Sequence, residues 1–68
     1  MLELTRRERE VLELLAIGLD SPRIADRLGV KVTTVRTLRY RMLGRNACNT
    51  AGLLGAWGRE SFERDERE

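Results

Sequence analysis

Apolar residues recur along this chain at helical spacing, and no stretch alternates apolar and polar as a strand does. Over residues 5–19, Val11, Leu12, Leu15 and Leu19 fall on one stripe with Leu14 at its edge. Arg6, Arg7, Arg9, Glu10 and Glu13 fall elsewhere and are spaced to pair one turn apart. Thr5 with Glu8 three residues on is a capping-box pattern, and Gly18 stands where a helix end takes a left-handed residue. A first helix over 5–19 follows. A second is predicted over 21–28, with Ser21 as N-cap, Pro22 at the first helical position, and Ile24, Ala25 and Leu28 facing inward. Gly29 ends it, and Val30 plugs the core from the turn. A third helix over 32–43 presents Val35, Leu38 and Met42 to the core, with Gly44 as its stop. Residues 45–49 read as a polar loop. A fourth helix over 50–62, capped by Thr50 or Asn49, carries Leu53, Leu54 and Trp57 on its apolar side. The chain is thus all-α, with a helical domain over 1–62 and a charged, disordered tail over 63–68.

The third helix has a second face. Arg36, Thr37, Tyr40 and Arg41 lie opposite its core stripe. The net charge is only +2, but it is unevenly spread. Residues 1–20 hold three Arg against five acids, residues 21–58 seven basic residues against Asp26 alone, and residues 59–68 three Arg against five acids. A basic cluster alone is commonly a solvated surface. Here it coincides with two short helices joined by a glycine turn, which points to a polyanion partner. A helix with one apolar and one basic, hydrogen-bonding face suits the DNA major groove. Thr33 and Thr34 add hydroxyls and backbone N–H groups at the helix start, where a phosphate is favoured.

Sixty-eight residues make one domain. A chain this short buries only about 60% of its unfolded surface, so its stability is marginal unless something helps. Cys48 is the only cysteine and there is no histidine, which excludes an internal disulfide and argues against a zinc site. Oligomerisation is the support that remains. Gly52, Gly55 and Gly58 recur every third residue on the fourth helix, each costing up to ~1 kcal/mol of helix propensity. Close packing against a helix of this chain or of a second copy would account for them. No apolar run is long enough to span a membrane and the N-terminus lacks a signal-peptide core, so a soluble, cytoplasmic protein is expected. There is no phosphate-binding glycine loop and no nucleophile–base pair; no enzyme, cofactor, metal or small-molecule ligand is expected.

Residues 4–43 carry a resemblance. The opening L-T-x-R-E-x-E-V-L, the turn segment I-A-x-x-L-G-V and the following T-V-R resemble the LuxR-type helix-turn-helix domain of bacterial transcription regulators. The likeness continues through L-L-x-A-W and covers about residues 3–58. It implies a four-helix unit that binds double-stranded DNA with its third helix in the major groove. By position, Arg36, Thr37 and Tyr40 would face base edges. Lys31, Thr33, Thr34, Arg41 and Arg45 would hold phosphates. Leu53, Leu54 and Trp57 would form a homodimer seam on the fourth helix. The side chains suit these roles: Arg36 can pair with guanine O6 and N7, Thr37 can offer its methyl to thymine, and Tyr40 its hydroxyl to a base or phosphate.

The chain departs from the family pattern at several positions. Lys31 stands where a Ser or similar cap is usual, Leu38 replaces a common His, and Arg39 occupies a common aliphatic position. The usual K-L-G-V reads R-N-A-C over 45–48. Asn46 and Arg39 are therefore expected to loosen the packing around the third helix. The length fits either a stand-alone regulator or a piece of a larger one. A second reading keeps the fold but not the ligand: region 4 of sigma factors has a similar helix-turn-helix, so the chain could be a module that contacts RNA polymerase or another regulator.

Overall fold

The computed structural model describes the backbone of residues 2–66 and the side chains of residues 2–60. It contains four helices in chain order, α1 (Arg6–Ala16), α2 (Ser21–Leu28), α3 (Val32–Arg45) and α4 (Thr50–Glu66), and no strand among the described residues. The fold is all-α, as the spacing of apolar residues predicts.

The start of α1 is the expected capping box. The Glu8 N–H donates to Thr5 Oγ1 at 3.1 Å, and the Thr5 N–H donates to Glu8 Oε1 at 2.9 Å. The helix ends earlier than expected, at Ala16, because Gly18 takes φ +99° and folds the chain back. The Gly18 N–H bonds to the Leu15 carbonyl and the Leu19 N–H to the Leu14 carbonyl. The same paired bonds close α2, where Gly29 has φ +70° and the Val30 N–H reaches the Ala25 carbonyl.

The cap of α2 and the ends of α3 and α4 also differ from what the spacing predicts, α4 running on to Glu66. Asp20, not Ser21, is the N-cap of α2, its Oδ1 accepting from the Arg23 N–H at 3.1 Å. Both residue types cap well, so the local pattern did not separate them. Ser21 instead turns its hydroxyl inward and is 7% exposed. At the other end of the motif, α3 runs through Gly44 to Arg45. The reversal comes at Ala47, with φ +51°, and the Cys48 N–H closes it on the Leu43 carbonyl. This is the ending used by α1 and α2, built on alanine where they use glycine. Ala47 carries a left-handed penalty of about 1 kcal/mol that glycine would not. Asn49 opens α4, its Oδ1 accepting from the Gly52 N–H at 2.8 Å. The tail expected over 63–68 falls on the end of this helix and on residues outside those described.

All four helices contribute to one core. Val11 and Leu12 of α1, Ile24 and Ala25 of α2, Val35 and Met42 of α3, and Leu53 of α4 form a single buried cluster. Leu14, Leu15, Leu19, Leu28, Val30, Leu38, Leu54 and Trp57 pack against it half-buried. Arg9 lies over the Trp57 ring, 5.3 Å from its centre, and ties α4 to α1.

A polar clasp joins the chain's beginning to the end of α3. The Glu3 N–H donates to Asn46 Oδ1 at 2.7 Å, and Asn46 Nδ2 donates back to the Glu3 carbonyl at 3.0 Å and to the Met42 carbonyl at 2.7 Å. Asn46 therefore fastens this junction where loosening was expected. An amide can pair with both groups of an extended backbone, as an apolar side chain cannot. Beside it, Arg45 Nη1 donates to Glu8 Oε1 and to the Glu3 carbonyl. Glu8 is 1% exposed.

Burial alone pushes the Glu8 carboxyl up. The hydrogen bond and charge of Arg45 and the hydrogen bonds from Thr5 outweigh this and leave it below its ordinary value of 4.5. A carboxylate held below its unfolded value stabilises the fold fully above that value, and the contribution is lost as pH falls through the lowered one. Glu8→Gln is expected to lower stability at pH 7 by about 2 kcal/mol, the scale of hydrogen bonds to a charged group. It should also remove part of the acid-induced loss of stability expected for the unaltered chain as pH falls below 4.5, as denaturant melts over a pH series would read it. Parallel pH profiles for the two proteins would show the pair to be idle.

Candidate nucleic-acid interface

Helix α3 is held by one side and open on the other. Val35 and Met42 are fully buried, Leu38 is half-buried, and the Asn46 clasp anchors its C-terminal end. Thr33, Thr34, Arg36, Thr37, Tyr40 and Arg41 are all exposed, Tyr40 at 81%. None of Lys31, Arg36 or Arg41 forms an ion pair among the described residues. A shallow depression of about 210 Å³, lined by Thr33, Thr34, Thr37, Leu38 and Arg41, runs along this side of the helix. The sequence-predicted base-facing and phosphate-facing residues of α3 thus share one accessible surface.

The N-terminus of α3 adds to that surface. Lys31 is the N-cap and makes no side-chain cap bond, and no acid lies in the first turn. The positive end of the helix dipole is left without an internal anion, beside the Thr33 and Thr34 hydroxyls. With no acidic residue between Asp26 and Glu60, nothing on α3 itself offsets Arg36 and Arg41.

Two expected site residues are placed differently. Arg45 is engaged with Glu8 and the Glu3 carbonyl, so it serves as a structural tie before it can serve a phosphate. Leu53 is 1% exposed and is used up in the core of its own chain, so it has no surface to give a second copy. Leu54 and Trp57 remain half-buried. Arg39, at a position that is usually aliphatic, does not loosen the packing. Instead its Nη1 donates to Ser21 Oγ at 2.7 Å and bridges α3 to α2. A polar residue at the margin of a core stripe was the only signal for it, and that signal does not name a partner eighteen residues away.

The arrangement is a helix-turn-helix: α2, a tight turn at Gly29, and α3 projecting its polar face. The family described as bacterial regulatory proteins, luxR family, matches residues 2–49. The chain belongs to the LuxR family. The match takes in α1, α2 and α3 and stops before α4. Neither a curated protein nor a solved structure matches the chain. LuxR-family domains are DNA-binding domains of transcription regulators, not enzymes. No described helix of this LuxR-family domain is long and apolar enough to cross a membrane.

Proposed function

We propose that this domain binds double-stranded DNA sequence-specifically, with α3 in the major groove. The observation that carries the reading is the open face of α3: six exposed hydrogen-bonding side chains on a helix anchored from behind, with no acid among them. Arg36 pairs with guanine O6 and N7, Thr37 packs its methyl on thymine, and Tyr40 offers its hydroxyl to a base edge or phosphate. Lys31, Thr33, Thr34 and Arg41 take phosphates around the start and flank of α3. Arg45 joins them only through donors not spent on Glu8 and Glu3.

The domain acts as a pair of copies joined through α4. Two glycines support this. Among the described residues, Gly58 has nothing within 4 Å of the position a Cβ would take, and Gly55 meets an Arg59 nitrogen at 3.7 Å. Packing among the described residues therefore gives no reason for them, whereas close approach of a second helix would. Leu54 and Trp57 flank that seam.

Selection of bound duplexes from a random pool tests the reading. A defined sequence is expected, repeated as a palindrome or direct repeat whose half-site spacing mirrors the pair. A pool that stays random at every position would contradict sequence reading, and a single unrepeated site would contradict pairing.

A further inference from the structure

Arg39 sits at the border of the core stripe of α3, half-buried, away from the open face. Its Nη1–Ser21 Oγ bond of 2.7 Å runs from the middle of α3 to the first turn of α2. The geometry points to Arg39 as a positioning residue that fixes the roll of α3 against α2, and through that the aim of Arg36 and Tyr40 at bases. This rests on the reading of α3 as the DNA-reading helix.

Three observations support it. Arg39 lies three residues after Arg36, one turn along the helix, so it borders the open face on the side of Arg36. Apart from this bond, the core to which α2 and α3 both contribute is apolar, with Ile24 and Ala25 from α2 and Val35 and Met42 from α3. The hydrophobic effect that buries such side chains is itself non-directional. A charge-assisted hydrogen bond is directional, and its acceptor here is held still, since Ser21 is 7% exposed. Bidentate pairing with a guanine edge requires placement to within about 0.5 Å. Phosphate contacts from long side chains are more forgiving. Loss of the bond should therefore harm recognition of the right sequence more than attraction to DNA in general.

The test compares the full chain with Arg39→Leu, Ser21→Ala and the double variant. Each is titrated with the selected duplex and with a scrambled one over a salt series. Each single variant is expected to lower the ratio of the two affinities by about tenfold, the order expected for one hydrogen bond to a charged group. The double variant should be no worse than either single one, because both remove the same bond. The salt dependence on scrambled DNA should not change. In the free protein, amide exchange over residues 36–40 should quicken in both single variants. Ser21→Ala removes one hydroxyl and leaves the charge in place, so it carries the comparison even if Arg39→Leu folds poorly.

If Arg39→Leu weakens both duplexes equally and reduces the salt slope by about one, while Ser21→Ala does nothing, Arg39 is a phosphate contact and the inference is wrong. If the unaltered chain prefers the selected duplex and both variants keep the full preference, the inference alone fails. An unaltered chain with no preference overturns the DNA reading itself, and this inference with it.

Discussion

Leu12→Ala is expected to lower the melting temperature of the domain by roughly 10–40 °C. Leu12 is fully buried on α1, at the centre of a cluster to which every helix contributes. Removing a buried leucine side chain to its Cβ costs about 2–5 kcal/mol, the spread reflecting how far the site collapses. A domain of 68 residues holds only about 3–10 kcal/mol in total. Cys48 is the only cysteine, so no internal disulfide makes up the loss. Each kcal/mol corresponds to about 4–8 °C in a domain this small. Thermal melting followed by circular dichroism should place the variant well below the unaltered chain. Tyr40→Ala, at a position 81% exposed, should shift the melt little. Equal melts for Leu12→Ala and the unaltered chain would mean that the four helices do not share one core.

Arg36→Ala is expected to change function without changing the fold. Its side chain is exposed and has no ion-pair partner among the described residues, so truncation leaves no buried group unsatisfied. On the selected duplex the loss should be about 1–3 kcal/mol, or roughly five- to 150-fold in affinity. The loss should concentrate at one base pair: a repeat selection with the variant should return the same site with one position relaxed. Lys31→Ala should behave differently. It removes a charge near phosphates, so it should weaken all sequences alike and lower the salt slope by about one. Loss from Arg36→Ala that is equal on every sequence would reduce Arg36 to a phosphate contact.

The helices and their inward faces were legible because periodicity is a local property. Val11, Leu12, Ile24, Val35, Met42 and Leu53 all sit where the stripes put them. The Thr5–Glu8 box was legible for the same reason, with both partners inside one turn. What local pattern does not carry is the choice between adjacent equivalents and the pairing of distant ones. Asp20 and Ser21 compete for one cap, and Gly44 and Ala47 for one reversal. Glycine was the natural guess, yet the chain turns at alanine because the bonds that close α3 reach back from Cys48 to Leu43. Glu8 finds Arg45 across 37 residues, and Glu3 finds Asn46 across 43. Those contacts exist only once α1 and the end of α3 have packed. For the same reason Asn46, bonded to Glu3, and Arg39, bonded to Ser21 of α2, look disruptive in one dimension and are ties in three. On α3, the exposed side followed from the buried one, so Arg36, Thr37 and Tyr40 were placed on a common surface by elimination. Arg45 and Leu53 were not, since each lies where a second helix claims it.

In the proposed complex the open face of α3 meets the DNA. The most direct measurement is an amide-resolved NMR titration of the free chain with the selected duplex. The largest shifts are expected at residues 31–41, on Lys31, Thr33, Thr34, Arg36, Thr37, Tyr40 and Arg41, with Ile17 at the far end of α1 unmoved. Shifts gathered on α1 or α4, with the 31–41 amides unchanged at saturation, would contradict it.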